Sequence, residues 1–264
     1  MKRRIISLCF CLIICVRLSA GDEFCGIRNT AFQSGESITY NIFYSVAGIY
    51  VNAGTAVFSA AVEKLNNKTV YHVTGEGKTN SNYDWIFKVR DKYESYFDTV
   101  NLQPLKFVRN VNEGSYKQFQ TVTFNQQTNT AITNKGVFQV PNCIQDVLSA
   151  VYYARNIDFN KYKADDRIPF SMFLDDQVQN LYIRYLGKED IKTRYGKFHA
   201  IKFKPLLVKG TMFTGGEKMT VWVSDDPNHI PLRIESPIVV GSVKVDMMQY
   251  SNLRYPLSSM ISFR

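Results

Sequence analysis

The three histidines of this 264-residue chain are the first candidates for metal or acid–base chemistry: His72, His199 and His229. No two of them have the spacing of metal ligands, and a His-Glu-x-x-His helix is absent. The chain also lacks a Gly-x-Ser-x-Gly nucleophile elbow and a glycine-rich phosphate loop. We therefore predict no catalytic residue, no metal ligand and no cofactor, and the sequence leaves open whether the protein is an enzyme.

Three pairs of neighbouring acids are the candidates for glycosidase chemistry: Asp165-Asp166, Asp175-Asp176 and Asp225-Asp226. A glycosidase needs two carboxyl groups about 5–10 Å apart that face each other across a cleft. Adjacent strand residues point to opposite faces of a sheet, so such a pair is not itself a dyad. At turns, Asp commonly hydrogen-bonds the local backbone, and Asp225-Asp226-Pro227-Asn228 fits that role. A hydrolase built from acids distant in sequence stays an alternative.

The N-terminal residues have the three-part layout of a secretory signal peptide. Basic Met1-Lys2-Arg3-Arg4 precedes an apolar run over residues 5–16, and the small residue Ala20 comes before a polar stretch. The run is shorter than the ~20 residues that span a membrane. We predict cleavage after residue 20, export to the periplasm of a Gram-negative bacterium and no integral span in the mature protein. An uncleaved anchor helix is the alternative.

Removal of residues 1–20 changes both the charge and the cysteine content. The formal net charge of +9 loses four basic residues and no acidic one, which leaves +5. Only Cys25 and Cys143 remain, and two cysteines in an exported chain favour a disulfide over two buried thiols. The basic residues are diffuse, which argues against nucleic-acid binding and agrees with weak attraction to anionic envelope surfaces.

One amphipathic helix is predicted around residues 143–156. Asn142 is the expected N-cap, with Gln145 as its capping-box partner. Asp146 and Arg155 suit the two ends of the helix dipole. The functional alternative is that Tyr152 or Arg155 lines a pocket beneath the helix, and both are candidate ligand-binding residues.

Aromatic residues are abundant, with 16 Tyr, 18 Phe and 2 Trp. Most are expected in a packed core, although a curved sheet with small residues beside the aromatics would leave an apolar cavity with hydroxyls at its mouth. Trp222 is the third candidate ligand-binding residue. The sequence leaves both a solid and a hollow core open.

Elsewhere, short stretches alternate apolar and polar residues with the period of a β-strand, as in Tyr40, Ile42, Tyr44 and Val46. These stretches cover residues 39–46, 51–62, 70–74, 93–97, 106–111, 118–124, 181–185, 200–203, 219–223, 232–234 and 243–247. Turn residues separate nearly all of them, while residues 83–87 fit a short helix or a strand equally well. We predict a mostly β fold: an antiparallel curved sheet, sandwich or barrel-like structure. Without a linker, residues 21–264 form a single β-rich domain or two fused curved halves.

Several motifs, in order along the mature chain, resemble the bacterial exported family called domain of unknown function 3108. They are Ser34-Gly35-Glu36-Ser37-Ile38-Thr39-Tyr40 leading to Gly48 and Gly54, Asn101-Leu102-Gln103-Pro104-Leu105-Lys106-Phe107, the helix segment Gln145-Asp146-Val147-Leu148-Ser149-Ala150-Val151-Tyr152-Tyr153-Ala154-Arg155, and Val221-Trp222-Val223-Ser224-Asp225-Asp226 followed by Ile230-Pro231-Leu232 and Gly241. The resemblance implies an envelope location and a β-rich fold, and it supplies no catalytic residues.

Three functions remain open at this point. The first is non-enzymatic binding or carriage of an apolar or amphipathic ligand, with a lipid or another envelope component as partner. The second is a hydrolase of envelope glycan or polymer that uses distant Asp and Glu residues. The third is a structural or assembly factor that contacts another envelope protein. The oligomeric state is not predicted.

Overall fold

The computed structural model of the protein describes residues 25–46, 49–209, 215–238 and 241–263. The predicted signal peptide, residues 1–20, lies outside the described residues. Within the described ranges, neither the α-helix nor a 3-10 helix has the length and apolar character that a membrane crossing requires.

The strands form one antiparallel sheet, in agreement with the predicted fold class. Its order is β8-β7-β6-β5-β4-β3-β2-β1-β14-β13-β12-β11-β10-β9, and β15 pairs with β11. The N-terminal half consists of β1 (Ser37–Val46), β2 (Ile49–Leu65), β3 (Lys68–Thr79), β4 (Arg90–Asp98), β5 (Pro104–Glu113), β6 (Tyr116–Asn125), β7 (Thr130–Thr133) and β8 (Gly136–Gln139). The C-terminal half consists of β9 (Arg167–Leu174), β10 (Gln177–Lys192), β11 (Gly196–Pro205), β12 (Thr220–Ser224), β13 (Pro231–Pro237), β14 (Ser242–Ser251) and β15 (Met260–Phe263).

Tight turns with left-handed residues set the register of the long hairpins. Asn66 and Asn67 join β2 to β3 with φ of 48° and 65°, and Asp175 and Asp176 join β9 to β10 with φ of 53° and 60°. Asn and Asp tolerate this conformation because their short polar side chains hydrogen-bond locally. The residue types at both turns therefore suit the left-handed backbone conformation that closes each hairpin.

Helix α1 (Val147–Ala154) connects the two halves, and it is shorter than predicted. Asn142 and Gln145 are not its cap, so that prediction was wrong. The backbone of Gln145 instead bonds along the free edge of β9, where its N–H donates to Ser171 O at 2.9 Å. This pairing keeps residue 145 extended, and Asp146 becomes the N-cap in a capping box with Ser149.

The main core lies where α1 packs between the two halves of the sheet. Leu148, Tyr152 and Tyr153 are buried there with residues from both halves, among them Val73 and Phe97 from the N-terminal half and Ile183, Ile201 and Val221 from the C-terminal half. Burial of each such side chain contributes about 1.5–3 kcal/mol. The helix and its aromatic neighbours therefore occupy the space between the halves.

The ends of the sheet approach one another without strand pairing in the described part of the chain. The buried Arg109 of β5 pairs with Asp175, and Asp176 accepts hydrogen bonds from Gln120 and from Lys135, the latter at 2.8 Å. Phe173 packs beside these contacts in a second apolar cluster with Phe107 and Phe124. Side-chain contacts thus join the two ends of the curved sheet, which backbone hydrogen bonds do not pair in the described part of the chain.

Candidate functional site

Arg155 is buried at the C-terminal end of α1, where its guanidinium forms hydrogen bonds with other residues of the protein. Nη1 donates to Glu36 Oε1 at 2.5 Å and Nη2 to Glu36 Oε2 at 2.8 Å, while Nε donates to Asn228 O at 3.0 Å. Burial lowers the pKa of Arg155, but the charge and hydrogen bonds of Glu36 outweigh it and raise the pKa. Tyr152 lies beside Arg155, with its ring centroid 4.9 Å from that of Phe32. A ligand-binding role for Arg155 and Tyr152 stays a prediction.

The other end of α1 is anchored by the buried carboxylate of Asp146. One oxygen accepts the N–H groups of Leu148 and Ser149 at 2.8 Å, and the other accepts the hydroxyl of Ser95 on β4 at 2.6 Å. Burial raises the pKa of Asp146 to about 6, against the opposing effect of these hydrogen bonds. The start of the helix is therefore bound to the N-terminal half of the sheet.

Cys25 and Cys143 form a disulfide, as the sequence predicts, with their Cα atoms 5.4 Å apart. The bridge ties the segment before β1 to the segment before α1. Both ends of α1 are thus joined to the early part of the chain, because Asn156 Oδ1 also accepts the backbone N–H of Thr30 at 2.6 Å.

Trp222 lies on β12 with its ring largely buried. Its indole N–H donates to Glu189 at 2.7 Å, and Lys202 Nζ lies 5.3 Å from the ring centroid. The N–H is thus already bonded within the protein, and ligand contact by Trp222 stays a prediction.

The aspartate pairs lie in loops that precede or join strands, and their side chains make structural contacts. Asp226 Oδ1 accepts the Ser224 hydroxyl and the Asn228 backbone N–H, each at 3.0 Å. Asp165 pairs with Arg184 at 3.1 Å. Within the described residues, no group of three or more His, Cys, Asp and Glu side chains is arranged to hold a metal ion.

Several exposed apolar side chains lie at one end of the sheet, and we call this group the apolar rim. It consists of Ile49, Tyr50, Trp85, Ile86, Phe87 and Tyr116. Trp85 is 82% exposed, Ile49 70% and Ile86 62%. The rim residues come from the start of β2, the β3–β4 loop and the start of β6. Antiparallel pairing brings these three regions to the same end of the sheet.

The β3–β4 loop is held between the neighbouring hairpins by backbone contacts. On one side, Asn80 N–H donates to Ala53 O at 2.8 Å. On the other side, Gly114 N–H donates to Lys88 O at 2.8 Å. Gly114 has a φ of 60°, and the Phe87 ring lies so close that a Cβ at this position would meet it at 3.0 Å. A larger residue at this position would therefore have to displace the Phe87 ring where the loop and the β5–β6 turn meet.

Internal polar contacts organise the same loop and leave its apolar side chains outside. Asp84 accepts the Thr79 hydroxyl at 2.7 Å and pairs with Arg90 at 2.6 Å. The Thr79 hydrogen bond, followed by that of Arg90, lowers the pKa of Asp84. The indole N–H of Trp85 donates to Asn82 O at 2.9 Å, so the polar edge of the ring is bonded while the ring remains in solvent.

Exposed lysines flank the apolar rim. Lys78, Lys88 and Lys117 lie on β3, in the β3–β4 loop and on β6. No carboxylate among the described residues pairs with any of the three. The rim therefore combines exposed aromatic and aliphatic side chains with cations that have no counterion in this part of the chain.

Sequence reasoning did not identify the rim as a site. Its local signal is the run Tyr83-Asp84-Trp85-Ile86-Phe87, which fits a short helix or a strand. The structure gives a 3-10 helix over Ser81–Tyr83 followed by a turn. Neither local structure indicates that the run lies at the same end of the sheet as the start of β2 and the start of β6.

A family model matches most of the chain: the model described as a protein of unknown function, DUF3108, covers residues 39–248. The chain belongs to the DUF3108 family. The resemblance drawn from the sequence motifs is thereby confirmed. Among curated proteins, no sequence matches this chain.

Solved structures resemble the fold of this DUF3108 protein at very low sequence identity. A β-barrel-like protein of domain of unknown function DUF1849 from Brucella abortus has a TM-score of 0.52 at 8% identity, over 84% of this chain and 98% of that one. A candidate lipoprotein from Parabacteroides distasonis has a TM-score of 0.37 at 13% identity, over 85% and 100%. A candidate exported protein with a YmcC-like fold from Bacteroides fragilis has a TM-score of 0.29 at 11% identity, over 84% and 97%. The first likeness supports the barrel-like curvature of the sheet.

Proposed function

We propose that this DUF3108 protein is an exported, non-enzymatic envelope protein that binds an amphipathic lipid surface through the apolar rim. The observation that carries the proposal is the exposure of Trp85, Ile86 and Phe87 on a loop whose backbone is hydrogen-bonded to both neighbouring hairpins. Large apolar patches are rare on monomeric soluble proteins and commonly mark sites that bind a protein or a membrane. The export proposal rests on the layout of residues 1–20.

Lipid is the favoured partner because of the chemistry of the rim. Trp and Tyr prefer the membrane–water interface, where the ring meets acyl chains and the polar edge stays in the headgroup layer. Lysines near such a surface attract anionic headgroups. The interior offers less support for carriage of an enclosed ligand, because α1 packs between the halves of the sheet.

Vesicle binding tests this function directly, and tryptophan fluorescence provides the signal. The chain has two tryptophans, and Trp222 is only 9% exposed, whereas Trp85 lies in solvent. On addition of vesicles of phosphatidylcholine and phosphatidylglycerol, we expect a blue shift of the Trp85 emission. The variant Trp222→Phe should keep this shift.

Substitutions distinguish vesicle binding through the rim from nonspecific adsorption of the protein to vesicles. Ile86→Ser should weaken co-sedimentation with these vesicles about tenfold or more, since a buried aliphatic side chain contributes about 1.5–3 kcal/mol. The matched control is Val100→Ser, which changes a 59% exposed valine in the β4–β5 turn at the opposite end of the sheet. Equal binding by Ile86→Ser and the unmodified protein would refute the proposal. So would a rim that cross-links to an envelope protein while vesicles stay unbound.

A further inference from the structure

A second surface feature is a cationic recess on the face of the sheet beside the apolar rim. Its volume is about 320 Å³, and its lining combines Phe43, Tyr50, Lys192, Thr193, Arg194, Arg233, Lys244 and Asp246. This volume lies at the lower end of the range of small-molecule sites. Four of the lining side chains are cations and one is an acid.

Strand register explains why these residues meet. Phe43 pairs with Lys244 across β1 and β14, and Asp246 pairs with Arg233 across β14 and β13. Tyr50 pairs with Ser45, two residues beyond Phe43. Directly paired residues, and residues two apart on one strand, share a face of the sheet. Five lining side chains therefore project from the same face.

The end of β10 and the β10–β11 turn supply the remaining cations, and the turn is held by local hydrogen bonds. The hydroxyl oxygen of the buried Thr193 accepts the N–H groups of Tyr195 and Gly196 at 3.1 and 3.2 Å. Lys192 and Arg194, on either side of Thr193, are exposed. The guanidinium of Arg194 lies 4.1 Å from the centroid of the Phe43 ring. Stacking on an aromatic face leaves the in-plane N–H donors of an arginine free for another partner.

The charges in the recess are unevenly paired. Arg233 makes two hydrogen bonds to Asp246, at 2.6 and 2.8 Å, and Lys244 pairs with Glu235 at 3.0 Å. Lys192 and Arg194 form no ion pair with any described carboxylate. Two cations without a protein counterion thus border a recess whose single acid is already neutralised.

From this arrangement we infer that the recess binds a phosphate group, with Arg194 and Lys192 as the principal contacts. Arginine presents parallel N–H donors that match phosphate oxygens, and lysine adds a compact charge. Tyr50 borders both the recess and the rim, so the phosphate can belong to a lipid headgroup as well as to a soluble ester. The inference goes beyond the proposed function, because a soluble phosphate ester would bind without a membrane.

Binding is tested by titration of the full mature chain with inorganic phosphate and with glycerol 3-phosphate, followed by calorimetry and by the NMR signal of the Arg194 Nε–H. We expect saturable binding that Arg194→Gln weakens about tenfold or more, since hydrogen bonds between charged groups contribute about 1.5–3 kcal/mol. The control Lys163→Gln removes an exposed lysine before β9, outside the recess, and should bind like the unmodified protein. Thermal unfolding of each variant checks that the fold is intact.

Vesicles of phosphatidylcholine and phosphatidylglycerol form the second arm. If Arg194→Gln reduces vesicle binding while neither soluble phosphate binds, the ligand is a lipid headgroup. If the soluble phosphates bind and the rim variant Ile86→Ser retains that binding, the recess acts independently of the rim. The inference is overturned if Arg194→Gln matches the unmodified protein with every probe, or if Lys163→Gln loses as much affinity as Arg194→Gln.

Discussion

The buried ion pair between Arg155 and Glu36 gives the sharpest prediction about stability. Both side chains are buried, with exposures of 4% and 1%, and two short hydrogen bonds join them. Removal of one partner leaves the other charge in a low-dielectric site without compensation. Glu36→Met should therefore lower the free energy of unfolding by about 3–5 kcal/mol.

Arg155→Met should cost about 1–3 kcal/mol more, because Asn228 O and Ala31 O also lose a donor. In the double variant neither charge of this pair is left unpaired. Its cost should fall to about 1–3 kcal/mol, which reflects mainly the two carbonyl groups. The double variant is thus expected to be more stable than either single variant.

Urea unfolding of the four proteins, followed by circular dichroism, measures this double-mutant cycle. The denaturant slope should stay the same, since each variant exposes similar surface on unfolding. Additive costs in the double variant would refute the reasoning. Single variants that each lose less than about 1 kcal/mol would show that solvent already screens the pair.

Two further predictions concern α1. The Cys25–Cys143 disulfide spans 118 residues, so replacement of both cysteines by serine should cost about 2–5 kcal/mol; an unchanged urea midpoint would contradict this. The pKa of Asp146 is raised to about 6 from an ordinary value near 4, so the folded state holds this proton more tightly than the unfolded state. The resulting stabilisation, about 3 kcal/mol, is complete below about pH 4 and is lost as the pH rises through about 6. Asp146→Asn should remove this part of the pH profile between pH 4 and 7, and a profile that keeps its shape in the variant would disprove the assignment.

Much of the sheet could be predicted from local pattern. Alternation located the cores of β1 to β6 and of β10 to β14. The prediction missed β7, β8, β9 and β15. Three of these four strands have only four residues, too few for a period of two to stand out.

The helix shows where local pattern stops. Its apolar spacing placed α1, but its start depends on Gln145, whose backbone pairs with β9 rather than with the helix. A capping motif shows which residues could begin a helix. Here Gln145 pairs with the edge of β9 instead, and the helix begins after Asp146.

The sequence by itself determined the fold class, the family, the cysteine pair and the abundance of aromatic side chains. These properties follow from composition, short-range periodicity and motif order. Only the tertiary structure decided that Arg155 meets Glu36, 119 residues away. It also decided that the start of β2, the β3–β4 loop and the start of β6 place apolar side chains at one end of the sheet. Likewise, it decided that β1, β2, β13, β14, the end of β10 and the β10–β11 turn line a cationic recess. Such sites arise from strand order and curvature, which bring together residues with no local relation in the chain.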